Sequence, residues 1–205
     1  MRTLLIVLVG ACFGCRVAPG QAPVRSGEVR RPPASPEDCR LAPEVPASLA
    51  WEARLPRPDS AGPPLVLEGR LLLRDGRPAA GLVFYVYHTD ATGRYPKRGD
   101  ELGCDAWHGY VRGWVRTDAQ GRYRFTTTRP ATYPSRSDPA HVHGTIVRPG
   151  REDFWITDFV FEGDPLVTPA YLARLDTSRG GTGVVALTRR DDGTYVGVRD
   201  IRLPF

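Results

Sequence analysis

Leu65-Val66-Leu67-Glu68-Gly69-Arg70-Leu71-Leu72-Leu73, Asp75-Gly76-Arg77-Pro78 and Leu82-Val83-Phe84-Tyr85-Val86-Tyr87 follow one another as a strand-length apolar run, a turn and a second run rich in β-branched and aromatic residues. That succession is a β-hairpin signal. It repeats downstream: residues 110–116 lead through Asp118-Ala119-Gln120-Gly121 into Tyr123-Arg124-Phe125-Thr126-Thr127. Further strands are expected at 141–147, 154–161, 183–188 and 195–203, the last two joined by Asp191-Asp192-Gly193, and only 168–175 offers a helical turn or two. Short strands punctuated this often specify an all-β fold, an antiparallel β-sandwich, over residues 65–205.

Composition agrees. The chain has 205 residues, 41% hydrophobic and 25% charged, enough for one domain with a real core. Its 22 Gly and 20 Pro disfavour an all-α fold. The net charge of +5 is dispersed with no basic run, so a nucleic-acid partner is not expected.

Upstream of the strands the character changes. Eleven of the twenty prolines fall within 16–64, and residues 12–64 read as an extended tether, with Trp51 and Leu55 as positions that could dock onto the domain. Residues 1–11 read as a signal peptide: a positive start at Arg2, an apolar run over 4–9, and Val9-Gly10-Ala11-Cys12 as a small-residue cleavage site. The pattern resembles a bacterial lipoprotein signal, which implies an exported protein held to the cell membrane only through a lipid on Cys12. In an oxidising compartment Cys39 and Cys104 are then a candidate disulfide, against the alternative of buried thiols.

The chemistry centres on Pro139-Ala140-His141-Val142-His143. On a strand, residues i and i+2 project from one face, so His141 and His143 point the same way. Tyr133 lies in the turn Pro130-Ala131-Thr132-Tyr133-Pro134, and Tyr95 closes Asp90-Ala91-Thr92-Gly93-Arg94-Tyr95. Two phenolates and two neutral imidazoles form a hard, anionic donor set that suits Fe(III) better than Zn(II) or a two-His, one-carboxylate Fe(II) site. A phenol with a pKa of about 10 must lose its proton to bind, and a trivalent ion supplies the reason. His108 and Tyr110 are alternative ligands.

With these residues in place, the stretch from Leu67 to about Pro165 resembles the catalytic domain of intradiol ring-cleavage dioxygenases, the protocatechuate and catechol dioxygenase group. The likeness is carried by Gly76-Arg77-Pro78-Ala79-Ala80-Gly81, Gly93-Arg94-Tyr95, Gly121-Arg122-Tyr123-Arg124-Phe125, Arg129-Pro130 with Tyr133-Pro134, Pro139-Ala140-His141-Val142-His143 and Phe161-Glu162-Gly163-Asp164-Pro165. The resemblance implies a prealbumin-like sandwich and a non-haem Fe(III) centre held by Tyr95, Tyr133, His141 and His143. It also implies cleavage of a catecholic substrate by O2, between the hydroxylated carbons, to a cis,cis-muconate-type diacid. Tyr95 becomes the base that takes a substrate proton, and Arg136 the candidate for stabilising the oxygenated intermediate. Two departures stand out: Asp138 occupies the family's arginine position, and Asp158 its glutamine position. They leave as one alternative an iron-holding catechol binder without turnover; the turn at 76–81 and the hairpin signal at 117–125 also suit a second, an exported prealbumin-like binding module.

Overall fold

The strand-forming runs resolve into twelve short strands and two single-turn helices in a computed structural model that describes residues 34–35 and 39–205. The expected signal peptide and Cys12 lie outside the described residues. In chain order the strands are β1 (Glu52–Arg54), β2 (Pro64–Leu72), β3 (Val83–His88), β4 (Arg112–Arg116), β5 (Arg122–Thr128), β6 (His141–Val147), β7 (Phe154–Trp155), β8 (Phe159–Phe161), β9 (Val184–Val185), β10 (Leu187–Arg189), β11 (Tyr195–Val198) and β12 (Ile201–Arg202). The helices are α1 (Asp105–His108) and α2 (Pro169–Leu172). One sheet runs β1-β5-β2-β11-β10 with β12 also on β2; the other runs β4-β3-β6-β8-β9 with β7 also on β6.

The sandwich is mixed rather than wholly antiparallel. The hairpins expected of β2 with β3 and of β4 with β5 do not form: each turn carries the chain from one sheet to the other, so that the apolar faces of the joined strands meet across the core, and the antiparallel partners are β5 for β2 and β4 and β6 for β3. The hairpin expected across Asp191-Asp192-Gly193 does form, as β10 with β11. β1 joins β5, β11 and β12 join β2, and β9 joins β8 in parallel. Those partners are reached by long connections, whose direction no local turn signal encodes. The expected strand at 154–161 breaks into β7 and β8 around Asp158, and that at 195–203 into β11 and β12 around Arg199. The helical turn expected in 168–175 is α2, capped by Thr168, whose hydroxyl accepts from the Tyr171 amide at 3.1 Å.

The fold begins before the expected boundary at residue 65. Cys39, Leu41 and Leu55 are buried, and β1 adds an edge strand beside Trp51, which stacks under the Arg122 guanidinium at 4.7 Å. Prolines flank this three-residue strand without entering it, which an edge position tolerates.

β3 explains how the site is built. Every residue in it is buried, because both faces of the strand are covered. Phe84 and Val86 face the other sheet, where Phe84 meets Tyr123 edge-on at 5.0 Å and Phe125 at 5.4 Å. Val83, Tyr85 and Tyr87 face outward under Cys39, Leu41, Cys104 and Trp114. β6 pairs with β3 so that His143 lies opposite Tyr87. Val142 and Ile146 therefore enter the inter-sheet core while His141 and His143 take the outer face.

Candidate metal centre

The two imidazoles of β6 are held in one tautomer by partners that can only accept. His141 Nδ1 lies 2.6 Å from the Pro139 carbonyl oxygen, and His143 Nδ1 lies 3.0 Å from Asp158 Oδ1. Each Nδ1 must therefore carry the hydrogen. Both Nε2 atoms are left as lone pairs, and they face each other at 3.1 Å. Two lone pairs at that distance do not bond to each other; they invite a shared cation.

Two phenols complete the cluster. Tyr133 Oη lies 3.1 Å from His141 Nε2 and 3.3 Å from His143 Nε2. Tyr95 Oη lies 2.8 Å from His143 Nε2 and 2.5 Å from Tyr133 Oη. The loops that deliver the two tyrosines are joined by their backbones. The Ala131 amide donates to the Asp90 carbonyl at 3.0 Å, and the Thr89 hydroxyl donates to the Ala131 carbonyl at 2.8 Å. Gly93 lies between them in the left-handed region, φ +74°, where a Cβ would come within 1.9 Å of the Thr132 carbonyl oxygen. No larger residue allows that approach. Asp90 fixes the Tyr95 turn, its carboxylate accepting from the Thr92 amide at 2.8 Å and the Thr92 hydroxyl at 2.6 Å and bonding Ser60. Burial alone would raise the Asp90 pKa; these hydrogen bonds outweigh it and bring it down.

Entry to β6 is anchored in the same way. Asp164, in the Phe161-to-Pro165 stretch singled out by sequence, accepts from the Ala140 amide at 3.0 Å, next to His141. The Tyr87 ring lies parallel to His143, 4.5 Å away and tilted by 25°.

Without a cation, the phenol protons are what bind the cluster together. Burial, then its hydrogen bond with Tyr133, pushes the Tyr95 pKa well up; burial also raises Tyr133. Burial, then the neighbouring His143, lowers His141. His141 is thus kept neutral and the phenols protonated until a positive charge replaces the phenol protons. Two phenol oxygens and two imidazole nitrogens, each within 3.3 Å of at least two of the others, fit a hard, highly charged ion.

The structure thus brings Tyr95, Tyr133, His141 and His143 to one point. It leaves Arg136 outside: that residue is exposed, in a left-handed conformation (φ 54°) on the turn after Tyr133, its amide donating to the Tyr133 carbonyl at 2.8 Å. The Asp138 carboxylate accepts from Ser137 Oγ at 2.7 Å, and its carbonyl bonds the Thr132 hydroxyl. His108 also stays out of the cluster. It is buried on α1, its Nδ1 2.9 Å from Tyr85 Oη and its ring stacked on Tyr87 at 3.7 Å. Tyr110 lies under the Arg98 guanidinium at 4.4 Å. Cys39 and Cys104 are buried neighbours in the cluster over β3, and both stand as thiols. Sequence reasoning missed two residues here: Asp158 as a partner of His143, and Tyr87 as its stacking platform. The strand pairing that places Tyr87 beside His143 was the available signal for the second.

Comparison with known proteins points the same way. A family model described as Dioxygenase matches residues 44–192. The chain is 35% identical over 121 residues to chlorocatechol 1,2-dioxygenase of Pseudomonas sp. (strain P51), covering 51% of this chain and 46% of that protein. It is 30% identical over 160 residues to catechol 1,2-dioxygenase 1 of Acinetobacter lwoffii, covering 69% and 49%. The chain spans about half the length of the curated relatives it matches. Among solved structures, the dioxygenase domain of a dioxygenase carbohydrate-binding protein fusion from Streptomyces sp. SirexAA-E superposes with a TM-score of 0.55 at 21% identity, covering 91% of this chain and 97% of that one. This last likeness is one of fold.

Proposed function

The chain belongs to the intradiol ring-cleavage dioxygenase family, and from that premise we propose that it is a non-haem Fe(III) dioxygenase that opens a catechol-type aromatic between its hydroxylated carbons with O2. The observation that carries the reading is the pair of Nε2 lone pairs 3.1 Å apart, closed in by two phenol oxygens. Bound at these four groups, Fe(III) would activate a chelated catecholate toward O2 by drawing electron density from the ring.

The protein's share is placement and proton handling. His141 and His143 are held by the Ala140–Asp164, Pro139 and Asp158 contacts and Tyr133 by the turn that the Arg136 amide closes on its carbonyl, so they form the fixed part of the cradle. Tyr95 is the group assigned to move. A phenolate oxygen in this buried setting is a strong base, because burial and the Tyr133 hydrogen bond raise its pKa. It is thereby suited to take one of the two hydroxyl protons that a catechol must lose to chelate. Arg136, exposed and outside the cluster, receives no part in that step.

The test is oxygen uptake by the iron-loaded protein with catechol, protocatechuate, hydroxyquinol and larger catechols. Consumption of one O2 per ring with appearance of a muconate-type product is the expected result. Spectral change on catechol binding without oxygen uptake would reject turnover.

A further inference from the structure

We propose that Asp158 is a positioning residue for the metal centre: through His143 it fixes one ligand nitrogen and sets a negative charge behind it. The inference rests on the ferric reading above and concerns a residue whose identity departs from the family pattern.

The two imidazoles are backed differently. Behind His141 stands a neutral dipole, the Pro139 carbonyl, 2.6 Å from Nδ1. Behind His143 stands a carboxylate, with Asp158 Oδ1 3.0 Å from Nδ1. Although one donor atom from each of His141, His143 and Asp158 can be found within a 4.8 Å span, the Asp158 contact falls on the Nδ1 side of the ring. The His143 nitrogen aimed at Tyr95, Tyr133 and His141 is Nε2. Asp158 therefore backs the ligand rather than joining the four donors. A carboxylate behind an imidazole orients the ring and makes the opposite nitrogen a stronger donor.

The surroundings hold the backbone that carries this carboxylate in place. The Thr157 amide donates to the Arg179 carbonyl at 2.8 Å, and Arg199 Nη1 donates to the Thr157 carbonyl at 2.8 Å. On the other side, the chain at Gly183 lies directly against Asp158: a Cβ there would stand 1.9 Å from the Asp158 carbonyl oxygen, at φ +75°. The Tyr87 ring parallel to His143 limits swivelling of the imidazole. Charge supplies the second half of the argument. Two phenolates leave one positive charge of a ferric ion uncompensated in a partly buried site, and the Asp158 carboxylate, which also faces the buried Arg199 guanidinium, offsets part of it. A neutral side chain would leave the iron more electron-poor and easier to reduce.

The experiment uses the full chain loaded with ferric ion, the wild type beside Asp158→Asn and Asp158→Ala, and reads the phenolate-to-iron absorption band, the Fe(III)/Fe(II) midpoint potential and iron affinity. Asn keeps the size and an acceptor oxygen but removes the charge; it is expected to retain iron, move the band to longer wavelength and raise the potential. Ala is expected to weaken iron binding by about 10–100-fold. Iron-bound Asp158→Asn with the wild-type band and potential would overturn the inference while leaving the ferric reading intact. A wild-type protein that takes up no iron would remove the ferric reading itself, and the inference with it. Thermal unfolding of the metal-free variants separates a folding defect, which leaves the band of the remaining iron-bound fraction unmoved, from an effect on the metal.

Discussion

Two histidine clusters share the outer face of one sheet, and the Tyr87 ring stacks against both, at 3.7 Å from His108 and 4.5 Å from His143. Their compositions are similar: tyrosine, histidine and carboxylates in each. Around His108 the charges answer one another, with Arg112 bonded to Glu44 at 2.8 Å and to Asp105, and the Glu44 carboxylate also accepting from the Cys104 amide at 2.9 Å. Around His143 the N–H groups of both imidazoles are turned outward, and two imidazole lone pairs and two displaceable phenol protons are left at one point. His108 Nε2 is buried without a partner among the described residues, yet it stands alone; the His143 cluster differs in that two imidazole nitrogens and two phenol oxygens converge within reach of one another.

The largest expected effect breaks the comparison on one side only. Tyr133→Phe or His141→Ala should abolish ferric binding and its visible colour, whereas His108→Ala should leave the colour unchanged. Bleaching by the His108 change alone, read by absorption after iron loading, would exchange the roles of the two clusters.

Acid should act next. Burial pushes His108 down to about 3 and His88 down to about 4, both below the unfolded value of about 6.5. For each, the unfolded chain binds a proton in the window where the folded chain does not. Stability is therefore complete above about pH 6.5 and falls with pH through that window, by about 1.4 kcal/mol per pH unit for each histidine. Denaturant unfolding of the metal-free protein at stepped pH measures this; a flat profile from pH 7 to 5 would contradict neutral burial of both rings.

The segment that covers the His108 cluster can be sharpened through its cysteines. Under oxidising conditions Cys39 and Cys104 are expected to pair, adding about 3–4 kcal/mol by closing a long loop. Mass mapping without reductant should recover them as one linked peptide. Two separately alkylated thiols in protein taken from an exported location would remove the crosslink. A smaller effect, about 2 kcal/mol, is expected from Glu44→Ala, which leaves Arg112 and the Cys104 amide short of an acceptor. Its colour on iron loading should match the wild type.

Much of this was legible in the chain. The turn signals at Asp75-Gly76 and Gly121 mark where strands end, although the strands they join lie in opposite sheets instead of pairing as hairpins, and the His141-Val142-His143 alternation puts both rings on one face because strand geometry has a period of two. The convergence of Tyr95 and Tyr133 was legible only through family resemblance, since the cause is a long-range backbone contact between Gly93 and Thr132. The parallel docking of β11 on β2 and of β1 on β5 escaped for the same reason: local patterns specify strands, and tertiary contacts choose their neighbours. Residues around Pro43, Pro56 and Pro58 read as a tether, yet chain as short as Glu52–Arg54 can form an edge strand between prolines. Asp158 drew notice as a departure from a pattern; its task became visible only as a distance to His143 Nδ1.

The most direct measurement is a ferric titration of the purified metal-free protein, followed by visible absorption and resonance Raman excited in the new band. One iron per chain, an intense band and tyrosinate ring modes that disappear in Tyr133→Phe are the predicted result. Iron uptake without tyrosinate modes, or no uptake at all, would contradict the joint claim of Tyr95, Tyr133, His141 and His143 on a single ion.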